Sequence, residues 1–304
     1  MRVLVTGSSG HVGGAIARHL AGKGWDVVGL SRGRTAQLPD SVEQVCSDIS
    51  ALSFLDDVSA RVAPCEAIVH AAAALDMGLC TTAVSLTNCL GTQQVLALAQ
   101  RWGVGRFAYT SSAPVIGRPR SVPITEEHST HPLTAYHASK LYGEHLVAVA
   151  GTGAALRVSS PVGPGMPGGR ILSIFVRRAL AGDPLVVHGR GTRAQNYVDV
   201  RDISVLAELC LDSGAAGIFN AGGRTAISNY DLAQTCVRVL NSPSPVALSG
   251  EPDPDDDVAW GLSTAKAEEV LGFVPQYSVE DSIRAVAREL GWQGDDGRPR
   301  EDHG

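Results

Sequence analysis

The stretch RVLVTGSSGHVGG (residues 2–14) joins a short β-branched run directly to a glycine-rich turn, and a helical pattern follows. The glycines recur at G-x-x-G-x-x-G spacing. They permit a tight turn and let the backbone approach a pyrophosphate, whose charge then lies at the positive end of the helix. This context predicts a dinucleotide-binding loop, to which we assign Gly7, Ser9, Gly10, His11, Val12 and Gly13. The alternative is that the glycines serve only a close contact between the strand and the helix.

The same rhythm of strand and helix continues through the first half of the chain. Runs such as WDVVGL, EAIVHA and RFAYTS are about five residues long, and longer helical patterns separate them. Short strands separated by helices are typical of β-α-β units with right-handed crossovers and a parallel sheet. The sequence therefore predicts an α/β fold with a Rossmann-type doubly wound sheet.

The rhythm breaks after Ser160, where the loop PVGPGMPGG is followed by shorter elements. We expect residues 1–160 to form the dinucleotide-binding domain, with its sheet completed by later segments around residues 185–220. Residues 161–291 are expected to form mainly a smaller, interleaved substrate-binding region. Residues 292–304 are expected to form a polar tail.

Composition limits the class of protein. With 44% hydrophobic and 18% charged residues, the 304-residue chain suits one large globular unit or two intimate domains. The formal net charge is -6 and there is no basic stripe, which argues against a nucleic-acid partner. No apolar run approaches the roughly 20 residues of a membrane span, so we expect a soluble, cytoplasmic protein. The six cysteines form no C-x-x-C pair, and we expect reduced thiols and no metal site.

The end of the second predicted strand bears on the choice of cofactor. In GLSRGR the chain has Ser31 and then Arg32, with Arg34 close by, where an NAD site usually carries an acidic residue. A carboxylate repels a 2′-phosphate, whereas an arginine binds one with charge-assisted hydrogen bonds. The sequence favours NADP(H), with NAD(H) as the alternative. Two alternatives explain the arginines without a 2′-phosphate: they belong to an exposed basic loop, or one of them stacks on the adenine ring.

The motif YHASK places Tyr136 and Lys140 four residues apart. On a helix, such positions lie one turn apart on the same face, so the two side chains can meet one ligand. The pair alone is weak evidence, because Y-x-x-x-K is common on amphipathic helices.

Ordered motifs along the chain carry a resemblance to a known family. They are TGSSGHVG, SDI, VHAAA, NCLGT, YTSSAPVIG, YHASK and RAQNYVDVRD, followed by FNAGG and STAKAEEVLGFVPQYSVEDSI. In this order they resemble the extended short-chain dehydrogenase/reductase family, the group of NAD(P)-dependent epimerases and dehydratases that includes the UDP-galactose 4-epimerases. The resemblance extends to about residue 291.

The resemblance implies roles for further residues. Asp48 and Ile49 would flank the adenine ring, and Ala71, Ala72 and Ala73 would line the cofactor. In the implied active site, Ser112 is the active-site serine, and Tyr136 and Lys140 are the catalytic pair. Asn88 would hold the helix and a water near the lysine. Pro161 would position the nicotinamide. The alternatives are an internal helix bond for Asn88 and a strand-end turn for Ser112.

The chemistry of these side chains fits the implied roles. A free tyrosine loses its proton near pH 10, but a neighbouring ammonium and a positive nicotinamide favour the phenolate, so we expect the pKa of Tyr136 to be lowered. Tyr136 would take a proton from a hydroxyl as hydride leaves, or return one to a ketone. Ser112 would bind the reacting oxygen. Lys140 would also reach the cofactor ribose.

Several departures from the family pattern narrow the function. Sugar-nucleotide 4,6-dehydratases carry Thr-Asp-Glu where this chain has Ser112, Ala113 and Pro114, and neither of the last two can transfer a proton. We therefore expect no dehydratase chemistry. Ile116 replaces the usual tyrosine of the VYG motif, a change that would make the pocket more apolar.

The substrate region also departs from the pattern. Arg193 matches a position that grips a diphosphate, with a surface salt bridge as the alternative. The family's second arginine is missing, since no arginine occurs between Arg238 and Arg284. The acidic loop EPDPDDD occupies that interval, and carboxylates repel a diphosphate, which speaks against a UDP- or dTDP-sugar. This loop is either solvated or in contact with a cationic substrate. His137 and His188 show no partner pattern, and we expect them to be structural or exposed.

Three functions remain open on the sequence. The first is an NADP(H)-dependent ketone reductase or alcohol dehydrogenase acting on a small molecule such as a sugar. The second is a sugar or sugar-nucleotide epimerase that works through a transient keto intermediate. The third is a non-catalytic NADP(H)-sensing protein on the same fold. The long helices near residues 82–102 and 133–150 resemble the family's four-helix interface and imply a homodimer.

Overall fold

Strands and helices alternate through most of the chain, as the sequence predicts. The computed structural model describes residues 1–77, 82–151 and 153–294. The strands are β1 (Arg2–Thr6), β2 (Asp26–Ser31), β3 (Glu43–Cys46), β4 (Ala67–His70), β5 (Arg106–Ser112), β6 (Gly153–Val158), β7 (Ser160–Val162), β8 (Leu185–Val187), β9 (Ala194–Asp199), β10 (Gly217–Ala221), β11 (Ala226–Ser228) and β12 (Val246–Leu248). The α-helices are α1 (His11–Gly22), α2 (Phe54–Arg61), α3 (Thr82–Val84), α4 (Gly91–Trp102), α5 (Ala135–Ala150), α6 (Ile171–Ala181), α7 (Val200–Ser213), α8 (Asn229–Val239), α9 (Ala265–Leu271) and α10 (Val279–Glu289).

Seven strands form the main sheet in the order β3-β2-β1-β4-β5-β6-β10, and every neighbouring pair is parallel. The chain order reverses between β1 and β4, which lie side by side. In sheets of this kind, ligands bind outside the carboxyl ends of the strands at such a reversal. The predicted Rossmann-type doubly wound sheet is confirmed, and its topology places the site.

Both faces of the main sheet are buried. Val3 and Val5 of β1 pack into a core that includes Ile16 of α1, whereas Leu4 packs into the opposite core together with Leu98 of α4. Successive side chains of a strand point to opposite faces, so a strand covered on both sides needs apolar residues throughout. This is why the first strand reads as a continuous apolar run.

The later part of the chain adds one strand to the main sheet. The segment expected to complete the sheet, around residues 185–220, supplies β10 for that purpose, while β8 and β9 belong to smaller sheets. In those sheets β9 lies between β7 and β11, and β8 pairs with β12. A third core, which includes Leu172, Phe175 and Leu232, supports this smaller region.

The end of the described chain is anchored. Ser278 and Asp281 form a reciprocal capping box at the start of α10. Of the residues expected to form a polar tail, Trp292 packs against the third core, and residues 295–304 lie outside the described part. Within the described ranges, no helix is long and apolar enough to cross a membrane. The described cysteines are free thiols, and Cys80 lies outside the described residues.

Candidate active site

The turn from β1 into α1 leaves no room for a side chain at two of its glycines, Gly7 and Gly13. Gly7 has a φ of +72°, and a Cβ atom on it would lie 2.6 Å from the backbone nitrogen of Ala72. A Cβ atom on Gly13 would lie 2.3 Å from the Gly7 carbonyl oxygen. Since real Cβ atoms do not approach so closely, the tight turn requires glycine at both positions.

The start of α1 is open to an anion. Gly10 is the N-cap and offers no side-chain hydrogen bond, and no acidic residue lies in the first turn. The free N–H groups and the helix dipole therefore favour a negatively charged ligand there. Burial lowers the pKa of His11 to about 4, so its ring is neutral, and its buried Nε2 has no hydrogen-bond partner among the described residues.

Two cavities meet at this loop. A cleft of about 860 Å³ runs from the glycines past the carboxyl ends of the strands into the smaller region. A second cavity of about 220 Å³ shares Gly7, Gly10, Ala71 and Ala73 with it. The open helix start, the close backbone approach and a long cleft on either side of the loop fit a dinucleotide lying across the sheet reversal.

Helix α5 carries the YHASK motif into the main cleft. Thr134 caps this helix by accepting a hydrogen bond from the His137 amide, and both Tyr136 and Lys140 line the cleft. Lys140 is only 2% exposed, and its Nζ donates to the Thr110 carbonyl at 2.8 Å. Burial lowers the pKa of Lys140 to about 7. The predicted i, i+4 juxtaposition in one ligand-sized cleft is present.

The expected lowering of the Tyr136 pKa is wrong for the protein by itself. Burial raises the pKa of Tyr136 to about 12, and the charge of Arg170 opposes this only partly. The Lys140 Nζ lies 5.9 Å from the centre of the tyrosine ring. At that distance, and with a pKa near neutrality, the lysine stabilises the phenolate less than burial destabilises it.

Ser112 lies at the carboxyl end of β5 and lines the same cleft. The strand end is held by its neighbour, because the Ser111 hydroxyl donates to Glu144 at 2.6 Å. Glu144 in turn is paired with Arg157 at 2.9 Å, with both side chains almost fully buried. This buried network fixes the end of β5, where Ser112 faces the cleft.

Asn88 connects two parts of the site. It lies in a π-helical segment, Ser85–Leu90, between α3 and α4. Its amide donates to the Ala74 carbonyl and to the Ser139 hydroxyl, and its oxygen accepts from the Ala74 amide at 2.7 Å. Ser139 lies within the turn between Tyr136 and Lys140, so Asn88 holds α5 against the chain that follows β4.

The smaller cavity brings together residues that the sequence analysis assigned to the adenosine half of a dinucleotide. Ser31, Arg32, Asp48 and Ile49 line it, together with the alanines that follow β4. Hydrogen bonds from Ser50 and the nearby Arg32 guanidinium lower the pKa of Asp48. By contrast, Arg34 is exposed and lines neither cavity.

The far end of the main cleft is built by β9 and the acidic loop. Arg193, Gln195 and Tyr197 lie at alternate positions along this segment, and all three line the cleft. Pro161 of β7 lines it as well, with Ser160 opposite Tyr197 in the strand register. Strand periodicity explains the arrangement, since every second residue points to one face.

The acidic loop does not point freely into solvent. Arg193 is within 3.7 Å of Asp253 and 3.5 Å of Asp255. Asp256 accepts hydrogen bonds from the Arg190 and Thr192 amides. Expecting a solvated loop is wrong for Asp253 and Asp256, whose side chains are only 10% and 15% exposed, because arginines and backbone amides satisfy their charges.

Known proteins resemble this chain over nearly its full length. The model of the NAD dependent epimerase/dehydratase family matches residues 3–222. The chain belongs to this family. It is an enzyme of the extended short-chain dehydrogenase/reductase type.

Named relatives of this family member include two curated enzymes and a crystal structure. A UDP-glucose 4-epimerase of Azospirillum brasilense is 29% identical, and the alignment covers 96% of this chain and 92% of that protein. A dTDP-glucose 4,6-dehydratase of Streptomyces niveus is 28% identical, over 93% of this chain and 90% of that one. The structure of UDP-glucose 4-epimerase with UDP-glucose from Thermotoga maritima superposes with a TM-score of 0.85 at 23% identity, covering 96% of this chain and 99% of that chain.

Sequence reasoning missed part of this family member's cleft. His137, expected to be structural or exposed, lines the cleft beside Tyr136, whereas His188 is exposed and bonds to Ser249. Gln195 and Tyr197 were not singled out either, although their period-two spacing from Arg193 could have indicated a shared strand face. No sequence pattern indicated that Arg118 and Arg170 line the cleft, because their positions there depend on the course of loops.

Proposed function

We propose that this enzyme is an NADP(H)-dependent oxidoreductase that moves hydride between the nicotinamide and a hydroxyl- or ketone-bearing carbon of a small molecule. The observation that carries the proposal is the common cleft: Ser112, Tyr136 and Lys140 line it together with the phosphate-binding glycines. A cofactor-sensing protein would have no use for an acid/base group there.

In this proposal each side chain has a separate task. When bound, the nicotinamide would supply the hydride or accept it. Tyr136 gives a proton to the oxygen of the reacting carbon or takes one from it, and Ser112 donates a hydrogen bond that holds this oxygen. Lys140, fixed by its bond to the Thr110 carbonyl, would place a cationic or polar group where it can meet the cofactor ribose and the phenol.

The resting protonation states favour reduction. With a pKa near 12, Tyr136 is protonated at neutral pH and is ready to donate to an oxygen that gains negative charge as hydride arrives. Oxidation first requires the phenolate, which burial opposes. The phenol is therefore in the protonation state that ketone reduction uses.

Substitution of the tyrosine tests the acid/base role. Tyr136→Phe should reduce kcat by about 10²- to 10⁴-fold while leaving dinucleotide affinity within about twofold, because it removes one transferable proton and little volume. Tyr142→Phe is the matched control, since Tyr142 is on the same helix, bonds to Gln93 and does not line the cleft. Full activity in Tyr136→Phe would contradict the proposal.

The preference for NADP(H) rests on Arg32. Arg32 lines the smaller cavity, where we propose that the adenosine half binds, and charge-assisted bonds to a 2′-phosphate contribute roughly 1.5–3 kcal/mol each. We expect wild type to bind NADPH more tightly than NADH, and Arg32→Ala to reduce that ratio by about tenfold or more. Arg34→Ala is the control, because Arg34 lines neither cavity. Equal affinities in wild type would refute the preference.

An epimerase is the second candidate, favoured by the relatives that carry this name. Both reactions use the same residues, but an epimerase returns the hydride to its own intermediate and shows no net cofactor consumption. Stoichiometric oxidation of NADPH with a ketone substrate would support the reductase, and inversion of a hydroxyl without any change in NADPH absorbance would support the epimerase.

We also propose a homodimer formed through α4, α5 and the helical segment before α4. This surface exposes Leu86 and Val149, the latter 87% exposed. Sedimentation should give a dimer that Val149→Glu weakens. A wild-type monomer at micromolar concentration would rule the homodimer out.

A further inference from the structure

Arginine and aspartate side chains close the far end of the cleft. We call Arg118, Arg193, Asp253 and Asp255 the charged clasp. Arg118 donates to Asp255 at 3.0 Å and to the Pro254 carbonyl at 3.0 Å. Arg193 is 3.5 Å from Asp255 and 3.7 Å from Asp253. The clasp thus joins the loop after β5, the start of β9 and the acidic loop after β12.

The charges of the clasp cancel. It holds two guanidinium groups and two carboxylates, and three of its members, Arg118, Arg193 and Asp255, line the cleft. The Asp253 side chain is only 10% exposed, so Arg193 is its nearby counter-charge. A diphosphate that drew Arg193 away would leave this buried carboxylate uncompensated, and it would also approach Asp255. The clasp therefore gives a diphosphate no net attraction.

The part of the cleft wall that β7 and β9 form beside the clasp carries uncharged polar side chains, whereas the cation Arg170, whose charge acts on Tyr136, lines the cleft as well. Tyr197 is 6% exposed and lines the cleft, and its buried hydroxyl has no hydrogen-bond partner among the described residues. Gln195 lies two residues before it on the same strand face, and Ser160 on the adjoining strand lies within 3.3 Å of the Gln195 amide. A buried hydroxyl without a partner costs free energy unless a ligand satisfies it.

We propose that this enzyme takes a neutral, hydroxylated substrate without a diphosphate, bound by Tyr197, Gln195 and Ser160 beside the charged clasp. The inference rests on the proposed function, because the substrate is the molecule on which Tyr136 acts. It separates this chain from the relatives whose names contain UDP-glucose and dTDP-glucose. The same fold and catalytic residues would serve a substrate of a different charge class.

Uridine and UDP isolate the contribution of the diphosphate. In calorimetric titrations of the NADPH-loaded enzyme, we expect UDP to bind no more tightly than uridine, or neither to bind saturably. The double variant Asp253→Asn with Asp255→Asn should bind UDP at least about tenfold more tightly than wild type does, because it frees Arg193. The control is Asp257→Asn, which alters a 75% exposed carboxylate near Arg118 and should leave UDP affinity unchanged.

Two results would overturn the inference. One is a wild-type affinity for UDP at least about tenfold above that for uridine, and the other is a double variant that gains nothing. Circular dichroism must show that the double variant is folded. If it is not, the single variant Asp255→Asn replaces it, because it removes the carboxylate that both Arg118 and Arg193 contact, and a UDP affinity unchanged from wild type would then overturn the inference.

A kinetic test addresses the neutral wall. NADPH oxidation is followed with neutral ketoses (D-fructose, L-sorbose) and with UDP-4-keto-glucose. Turnover of a ketose, with a KM raised at least about fivefold and kcat retained in Tyr197→Phe, would support the inference, because that variant removes a single hydroxyl. Turnover of the UDP compound alone would overturn it. If neither class is reduced, the proposed function fails, and the uridine–UDP comparison still decides the charge class.

Discussion

Replacing the buried lysine with methionine should change how the stability of the protein depends on pH. Lys140 is fully buried in the cleft wall, and burial lowers its pKa from 10.5 to about 7. In the unfolded chain the ammonium is solvated and keeps the higher value. Between these two values the unfolded chain binds more protons, so the free energy of unfolding of wild type rises with pH.

The size of the effect follows from the two pKa values. The difference between 10.5 and about 7 corresponds to about 5 kcal/mol over the whole titration, at about 1.4 kcal/mol for each unit. The cost of burying the lysine is fully present below about pH 7 and absent above about pH 10.5. Between about pH 7 and about pH 9, wild type should gain roughly 2 kcal/mol of stability from this group.

Lys140→Met removes the titrating group and keeps a long apolar side chain. The free energy of unfolding of the variant relative to wild type should therefore fall by roughly 2 kcal/mol from about pH 7 to about pH 9. Urea denaturation at both pH values measures this, and other groups cancel in the difference. Lys266→Met is the control, since that exposed lysine also donates to a backbone carbonyl at 2.8 Å and is solvated in the folded chain. A constant difference between wild type and Lys140→Met would refute the reasoning.

Three further substitutions test the supports of the site. Asn88→Ala should lower the free energy of unfolding by about 2 kcal/mol in urea denaturation, because it leaves both backbone polar groups of Ala74 without their partner. Glu144→Leu should cost about 3–5 kcal/mol by the same measurement, since it leaves the buried Arg157 charge uncompensated. Gly13→Ala should weaken NADPH binding at least about tenfold in fluorescence titrations, because its Cβ atom would displace the phosphate-binding loop. An unchanged value in any of these assays would contradict the role assigned to that residue.

Residues whose roles follow from local backbone geometry could be predicted from the sequence. The glycine loop requires small residues at a fixed spacing after a strand, and Tyr136 and Lys140 need only one helical turn to share a face. Each of these requirements involves only a few residues that are close together in the sequence. The structure accordingly brings Gly7, Tyr136 and Lys140 to a single cleft.

The electrostatics of the site could not be predicted in this way, because they depend on burial and on pairs distant in sequence. Asp253 and Arg193 are 60 positions apart in the sequence. Their pairing nevertheless decides whether the acidic loop presents a free negative charge to an anion or neutralises the charge of the arginine. The sequence had shown only that carboxylates were numerous there. Likewise, the direction of the Tyr136 pKa depends on how deeply α5 is covered, which no spacing reveals.

Burial shifts the pKa values of Tyr136 and Lys140 in opposite directions, which links the stability of the protein to the chemistry that we propose for it. It makes Tyr136 hold its proton up to about pH 12 and makes Lys140 give up its proton near pH 7, so both tend toward neutrality in the cleft. A wall in which these two groups are neutral would suit the neutral substrate that we propose, beside the self-compensated charges of the clasp. Adding a cationic nicotinamide to such a wall would change the balance of charge more than it would in a solvated site, because the interior screens charges poorly. Cofactor oxidation state would therefore set the proton affinity of Tyr136, with the oxidised form favouring the phenolate that alcohol oxidation needs and the reduced form leaving the phenol that ketone reduction needs.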